Sequence, residues 1–211
     1  MRKVLLSTSY FGSITWWAAL VQFQEVSLEA HENFVKQSYR NRCYIDGPNG
    51  ALMLNIPLQH KTTKSITEIE ISYRENWSAK HWQALQTTYR NSPFFDTIGP
   101  AIQEVYQQKM TSLWEFNQVF RLQIQNWLQI EKPVNLSSQW ESNPQNLVDW
   151  RKAIHPKSTE RLCHHYPAYP QVFDQKFGFR KNLCILDLLF NEGPAAYDYL
   201  AQLEFVFSSP S

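Results

Sequence analysis

The sequence predicts an α/β fold in which an N-terminal strand-helix-strand unit with a β-hairpin is followed by a mainly helical C-terminal half. Three observations carry this prediction. The first thirty or so residues run from "KVLLSTSYFG" through "SITWWAALVQF" to "EVSLEAHE", an apolar run, a stretch of helical period and a second apolar run. Next, "RCYIDGPNGALMLNIPL" places two extended runs around "DGPNG", whose Asn-Gly is a strong turn signal. Beyond residue 76 the apolar spacing becomes helical. A chain of 211 residues has the length of one domain. The reading is a single domain over 1–211, with an α/β part (1–76) and a mainly helical part (77–205).

Each element has its own justification. "KVLL" is short, apolar and ends at a Gly loop, as a buried strand does, and Ile14, Trp17, Ala18 and Val21 recur at helical spacing behind it. A strand, helix, strand order is usually parallel and right-handed, so residues 4–9 and 25–30 are expected as neighbouring parallel strands with 14–23 helical between them. "SITEIEISY" alternates Ile66, Ile69 and Ile71 and reads as a further strand. "SAKHWQALQTTYR" has a Ser at the N-cap position and stops before "NSP", because the residue preceding a proline avoids helical angles. "PAIQEVYQQKMTSLWEFNQVFRLQIQNWLQI" is a long helical stretch that breaks near Thr111 and Ser112. Residues 132–171, with five prolines and two adjacent histidines, show no period and read as a long irregular segment of the kind that forms lids or binding loops. "NLCILDLLFNEGPAAYDYLAQL" closes the chain as two short helices separated by Gly193 and Pro194.

Composition excludes several functions. A net charge of +1 cannot supply the broad basic field of a nucleic-acid-binding face, although a local anion site remains open. Cys43, Cys163 and Cys184 form neither a CxxC pair nor a disulfide framework, which fits a reducing cytoplasm. The apolar run at the N-terminus is too broken for a signal peptide, and no stretch reaches the roughly 18 to 20 apolar residues of a membrane span. Dinucleotide, P-loop and serine-hydrolase motifs do not occur, so the sequence names no cofactor.

Candidate chemistry concentrates in "HENFVKQSYRNR", residues 31–42. Ligands of parallel α/β sheets bind beyond the carboxyl ends of the strands, where Ser7, Ser9 and Tyr10 follow the first strand and His31 and Glu32 the second. An imidazole beside a carboxylate can act as general base, so His31 and Glu32 are the catalytic candidates. Lys36, Arg40 and Arg42 form a basic wall suited to phosphate or carboxylate oxygens, with Tyr39 and Asn41 as neutral hydrogen-bonding groups between them. Tyr10 and His81 would complete the pocket. Asp187, inside "LCILDLLF", must be buried and needs a partner such as Arg40 or Arg42, and Asn191 lies one turn further along its face. His164 and His165 are adjacent, so they cannot form a helical metal pair, and a metal at His31, Glu32, His81 and Asp187 requires the fold to bring them together. The partner expected from these residues is a small anionic molecule, a nucleotide-sugar or a carboxylate.

Taken with "YFGSITWW", "HENFVKQSYRNRCYIDGPNGALMLNIPL", "WSAKHWQALQTTYRNSPFF", "VNLSSQ" and "PQVFDQKFGFRKNLCILDLLFNEGP", in that order over most of the chain, the sequence resembles the WbqC-like family of bacterial proteins. That resemblance implies a place among surface-polysaccharide (O-antigen) proteins and an acyl or aminoacyl transfer, such as glycyl transfer, to an amino sugar or nucleotide-sugar. Longer members carry a "YLSG"-like strand and loop where this chain has "HPKSTERLCHHYPAYP". A non-catalytic nucleotide- or glycan-binding module and a protein whose polar residues are purely architectural are the alternative readings.

Overall fold

The computed structural model describes residues 2–59, 65–158, 161–163 and 165–206. Strand β1 (Lys3–Leu6) leads through helix α1 (Ile14–Gln22) to β2 (Glu25–Leu28), and the two strands pair in parallel, with Val4 opposite Val26 and Leu6 opposite Leu28. These four side chains are buried in the core under α1. The turn into α1 is tight: Gly12 has a φ of 77°, and a Cβ there would come within 2.7 Å of the Trp17 indole nitrogen. Ser13 then caps α1 by accepting from the backbone N–H of Trp16. At the other end of the helix, the Lys132 ammonium donates to the carbonyls of Leu20, Val21 and Phe23, a cation placed against the negative end of the helix dipole.

The hairpin also forms as expected. Strands β3 (Arg42–Ile45) and β4 (Leu52–Asn55) pair antiparallel, and the Gly50 N–H donates to the Gly47 carbonyl across a turn with Pro48 at its second position. Helices α2 (Trp77–Tyr89), α3 (Phe95–Gln107) and α4 (Leu113–Trp127) follow. The break between α3 and α4 falls where the sequence places it, because Ser112 caps α4 by accepting from Glu115 N–H. The start of α3 differs from expectation: it begins at Phe95 and takes Pro100 into its second turn. Helix α2 begins at Trp77 after Asn76, one residue before the Ser expected to cap it.

Two segments depart further from the sequence reading. Ile66, Ile69 and Ile71 are buried, but the chain there forms one 3-10 turn, Ile66–Glu68, and isolated bridges to Leu58 and Ser112. Its backbone groups bond in turn to Pro57, Thr111 and Leu113, so it straps the hairpin to the start of α4. Within 132–171, the structure places two more strands, β5 (Val134–Leu136) and β6 (Val148–Asp149). Both join β1 and β2 in a wholly parallel sheet of order β5-β2-β1-β6. Its inner face lies on the helices, while Leu5, Ser27, Asn135 and Asp149 alternate onto the other face.

Helices α5 (Asp174–Phe177), α6 (Ile185–Glu192) and α7 (Ala196–Ala201) complete the fold, with α7 packed on α1. Between α6 and α7, Gly193 has a φ of 53°, and a Cβ would come within 2.5 Å of the Phe94 ring. No helix among the described residues is long and apolar enough to cross a membrane.

Candidate functional site

The strand order locates the topological switch point of the sheet. The chain moves outward from β1 to β2 and β5, then returns to the opposite side of β1 with β6. The order therefore reverses at β1, and the crevice beyond the carboxyl ends of β1 and β6 is the topological switch point. Backbone bonds extend the ladder past the strand ends: Glu29 N–H to Leu6 O, Ser137 N–H to Leu28 O and Trp150 N–H to Leu5 O. They bring the residues after all four strands to one edge.

At that edge sit two buried arginine–glutamate pairs. Arg40 donates to both carboxylate oxygens of Glu32, Nε at 2.8 Å and Nη2 at 2.5 Å, and Nη2 also reaches Ser7 Oγ at 2.7 Å. The Ser7 hydroxyl in turn donates to Glu32 Oε2 at 3.0 Å. Arg151 bonds Glu29 Oε2 at 2.8 Å and holds both carboxylate oxygens of Asp149, with its remaining Nη2 donor on the Glu141 carbonyl. Its guanidinium also lies over the Trp140 ring, 4.4 Å from the centroid. Hydrogen bonding to Asp149 is the main reason the Arg151 pKa is raised, and the nearby Glu29 adds to it. Glu29 accepts further bonds from Ser137 Oγ and the backbone of His31. Bidentate pairs of this kind fix geometry as well as charge, and here they tie the 137–151 loop and the 31–42 segment to the strand ends.

His31 and Glu32 do not face each other. Glu32 turns inward to Arg40, whereas His31 is exposed and its Nε2 lies 3.1 Å from the Ser137 carbonyl. A carbonyl can only accept, so Nε2 carries the proton and Nδ1 is left as an acceptor. Ser137, not Glu32, orients this ring. Lys36 is exposed. Arg42 is half-buried at the start of β3, and its Nε has no hydrogen-bond partner among the described residues. His155 lies near Arg42, Arg40 and Lys157; burial and then these three positive charges pull its pKa down. His155 and Lys157 thus lie beside the Arg40 and Arg42 cluster, with the His155 ring held toward its neutral form. Tyr39 is buried, and its carbonyl accepts from Tyr10 N–H and Ser9 Oγ. Asn41 is buried and its amide bonds the Ile56 carbonyl and Asn55, extending the hairpin.

Tyr10 and His81 lie in the core, away from this edge. Tyr10 is fully buried, and its hydroxyl bonds His81 Nδ1 at 3.0 Å and the Tyr106 hydroxyl. Burial pulls His81 down to about 4, against the smaller opposing effect of its bond to the Asn55 backbone, so the ring is neutral and accepts from Tyr10. Packing explains the difference from expectation: Trp77, Tyr106, Phe116 and Phe120 close around the pair. Asp187 does not pair with Arg40 or Arg42 either. It accepts from Tyr89 at 2.7 Å, Tyr169 at 2.5 Å and Gln171 at 2.9 Å, while Asn191 bonds its backbone carbonyl. Three neutral donors fill its lone pairs. Burial lifts Asp187 to about 6; the hydrogen bonds from Tyr169, Tyr89 and Gln171 oppose that rise, and the charge of Asp46 adds to it. Arg180, whose backbone bonds Gln171, pairs with Asp46 at 3.0 Å. His31, Glu32, His81 and Asp187 thus belong to separate networks, and no group of three or more potential ligands among the described residues could hold a metal. His164 lies outside the described residues.

Three hollows adjoin the edge. One of about 10 Å³ lies in the switch crevice between Ser7, Thr8, Ser9, Arg40 and Trp150, and another of about 10 Å³ lies behind the same loop against α4. Each has room for about one water. A wider cleft of about 140 Å³ opens on the outer sheet face between Leu5, Ser27, Glu29, Ser137 and Glu141, beside His31's partner Ser137. Another cavity, about 260 Å³, lies far along the chain from these residues, between Trp127 and Tyr197. Sequence reasoning missed Glu29, Asp149 and Arg151; the one signal for the last two is the Asp-x-Arg spacing that follows the apolar Leu147 and Val148.

The chain is 26% identical over 228 residues to "Uncharacterized protein Rv1507c" of Mycobacterium tuberculosis, covering 95% of this chain and 98% of that protein. No solved structure matches it. The model of the WbqC-like protein family matches residues 8–164, which include the β1 loop, the 31–42 segment and both buried arginine–glutamate pairs. The chain belongs to the WbqC-like protein family.

Proposed function

We propose that this protein transfers an acyl or aminoacyl group, glycyl-like in size, to the amine of an amino sugar or nucleotide-sugar used in surface-polysaccharide synthesis. The observation that carries the reading is the buried Ser7–Glu32–Arg40 network at the carboxyl edge of a parallel sheet with a switch point, with His31 following β2 on the same edge and Arg42 two residues beyond Arg40. Amide formation joins the amine nitrogen to the acyl carbon of an activated donor, breaks the bond to the donor's leaving group and releases a proton. His31 Nδ1 takes that proton, with Ser137 holding the tautomer. Arg42, Lys36 and His155 face the anionic part of the substrate, and Arg40 is held in place by Glu32. The three free, buried cysteines support a reducing, cytoplasmic setting.

Incubating the protein with amino sugars, their nucleotide-linked forms and activated acyl donors, with mass-spectrometric detection of the amide, tests this directly. His31→Ala is expected to lower turnover by about 10² to 10⁴ while substrate affinity and the melt stay near the parent's, since a general base acts mainly in the transition state. Unchanged turnover in that variant would remove the base. One observation favours a second reading, a non-catalytic nucleotide- or glycan-binding module: the hollow in the switch crevice holds only about 10 Å³. Tight binding of a nucleotide-sugar with no product from any donor would select it.

A further inference from the structure

The arginines near the sheet edge and in the Asp187 cluster are not alike. Arg40, Arg151 and Arg180 are each paired with a carboxylate. Arg121, half-buried on α4, has only neutral partners among the described residues: Nε donates to Gln118 Oε1 at 2.8 Å, and Nη1 to Gln125 Oε1. Those amides are held from their far ends, Gln118 by Thr8 Oγ1 and Gln125 by the Lys132 carbonyl, so their oxygens must point at the guanidinium. Burial lowers the Arg121 pKa, and no nearby negative charge raises it again. A cation has been drawn into the protein without a counter-charge among the described residues.

The second hollow behind the β1 loop lies directly against it, lined by Thr8, Ser9, Trp17, Asn117, Gln118 and Arg121 among others. Asn117 is 1% exposed, and its amide is oriented by donating to the Arg40 carbonyl at 2.8 Å. That leaves Asn117 Oδ1 as a buried acceptor with no partner among the described residues. Thr8, 2% exposed, accepts from Gln118, and its own proton has no acceptor among the described residues. The site therefore offers an unneutralised positive charge, a spare hydroxyl donor and a spare acceptor. We propose that it binds a small oxyanion carrying its own hydroxyl proton, of which hydrogen phosphate, free or as a terminal phosphoryl group, is the simplest. The protonated P–O–H oxygen enters the hollow, accepting from the Thr8 hydroxyl and donating to Asn117 Oδ1, and the anionic oxygens meet Arg121 at its mouth. With room for one water, the hollow admits one such oxygen while the rest of the anion stays at the mouth.

This inference does not depend on the transfer reaction. It is tested by titrating isotopically labelled protein with inorganic phosphate at constant ionic strength and following the Trp17 indole N–H, which belongs to this hollow and not to the one beside Arg40. Saturable movement of that signal is expected, weakened at least about tenfold by Arg121→Met and severalfold by Thr8→Val, and unaffected by Arg42→Ala. Sulfate, of similar size but without a proton at neutral pH, should bind at least about tenfold more weakly than phosphate. Should Arg121→Met not fold, Arg121→Lys keeps the charge without the planar fork and should weaken phosphate severalfold at an unchanged melt. No saturable response in the parent, equal affinity for sulfate, or full phosphate binding by an Arg121 variant would overturn the assignment. If methyl phosphate binds as phosphate does, the natural ligand is a phosphoryl group on a larger molecule; if only inorganic phosphate binds, it is the free ion, and both support the site.

Discussion

Arg40→Met is expected to destabilise the protein by about 3 to 5 kcal/mol in urea unfolding, because it strands a buried carboxylate. Glu32 and Arg40 side chains are only 4% and 5% exposed, and with the guanidinium gone the Glu32 carboxylate keeps, among the described residues, the Ser7 hydroxyl alone. The double variant Glu32→Gln, Arg40→Met should recover much of the loss, since it removes both charges. Arg42→Ala, two residues along, should cost under about 1 kcal/mol, as that side chain has no ion pair to break among the described residues. A large loss in Arg42→Ala equal to that of Arg40→Met would mean that the whole 31–42 segment is scaffold.

A second large effect appears on acidification, where two buried groups oppose each other. His81 titrates near 6.5 unfolded but at about 4 folded, so the unfolded chain takes the proton first. Its contribution is complete above pH 6.5 and is lost as the pH falls to about 4, about 3 kcal/mol in all. Asp187 behaves in the reverse sense. It moves from 3.8 unfolded to about 6 folded, so the folded chain takes the proton first and gains about 3 kcal/mol as the pH falls from 6 to 3.8. The parent should therefore show a shallow profile between pH 6 and 4. Asp187→Asn should lose stability faster than the parent over that window, and His81→Gln should gain relative to it. Urea midpoints at pH 7, 5.5 and 4 measure both. Parallel profiles for all three proteins would contradict the burial of these groups.

The strand-helix-strand unit and the hairpin were legible because each is a local pattern: Val4, Leu6, Val26 and Leu28 set two apolar runs, and Asn49-Gly50 marks the turn. Strands β5 and β6 were not, because three residues and two residues carry no readable period; they are strands because β2 and β1 offer free edges. The placement of the candidate residues after the strands was legible, but their pairing was not. Residues after β1 and β2 do gather at the carboxyl edge, yet Glu32 belongs to Arg40 and His31 to Ser137, a residue more than 100 positions away. Tyr10 follows β1 just as Ser7 does, but it turns into the aromatic core. Arg121 was hidden by its place beside the apolar stripe of α4, although Asn117, Gln118, Arg121 and Gln125 form a polar stripe of their own.

Under the proposed transfer, the carboxyl edge around Arg42 recognises the anionic part of a nucleotide-linked sugar. The most direct test is a binding isotherm with UDP-glucosamine on the parent and Arg42→Ala. Parent binding should weaken with salt, and the variant should bind about 10- to 100-fold more weakly, as expected for the loss of hydrogen bonds to a charged group of about 1.5 to 3 kcal/mol, with that gap narrowing at high salt. Equal affinity in the two proteins, or no binding by the parent, would contradict the account.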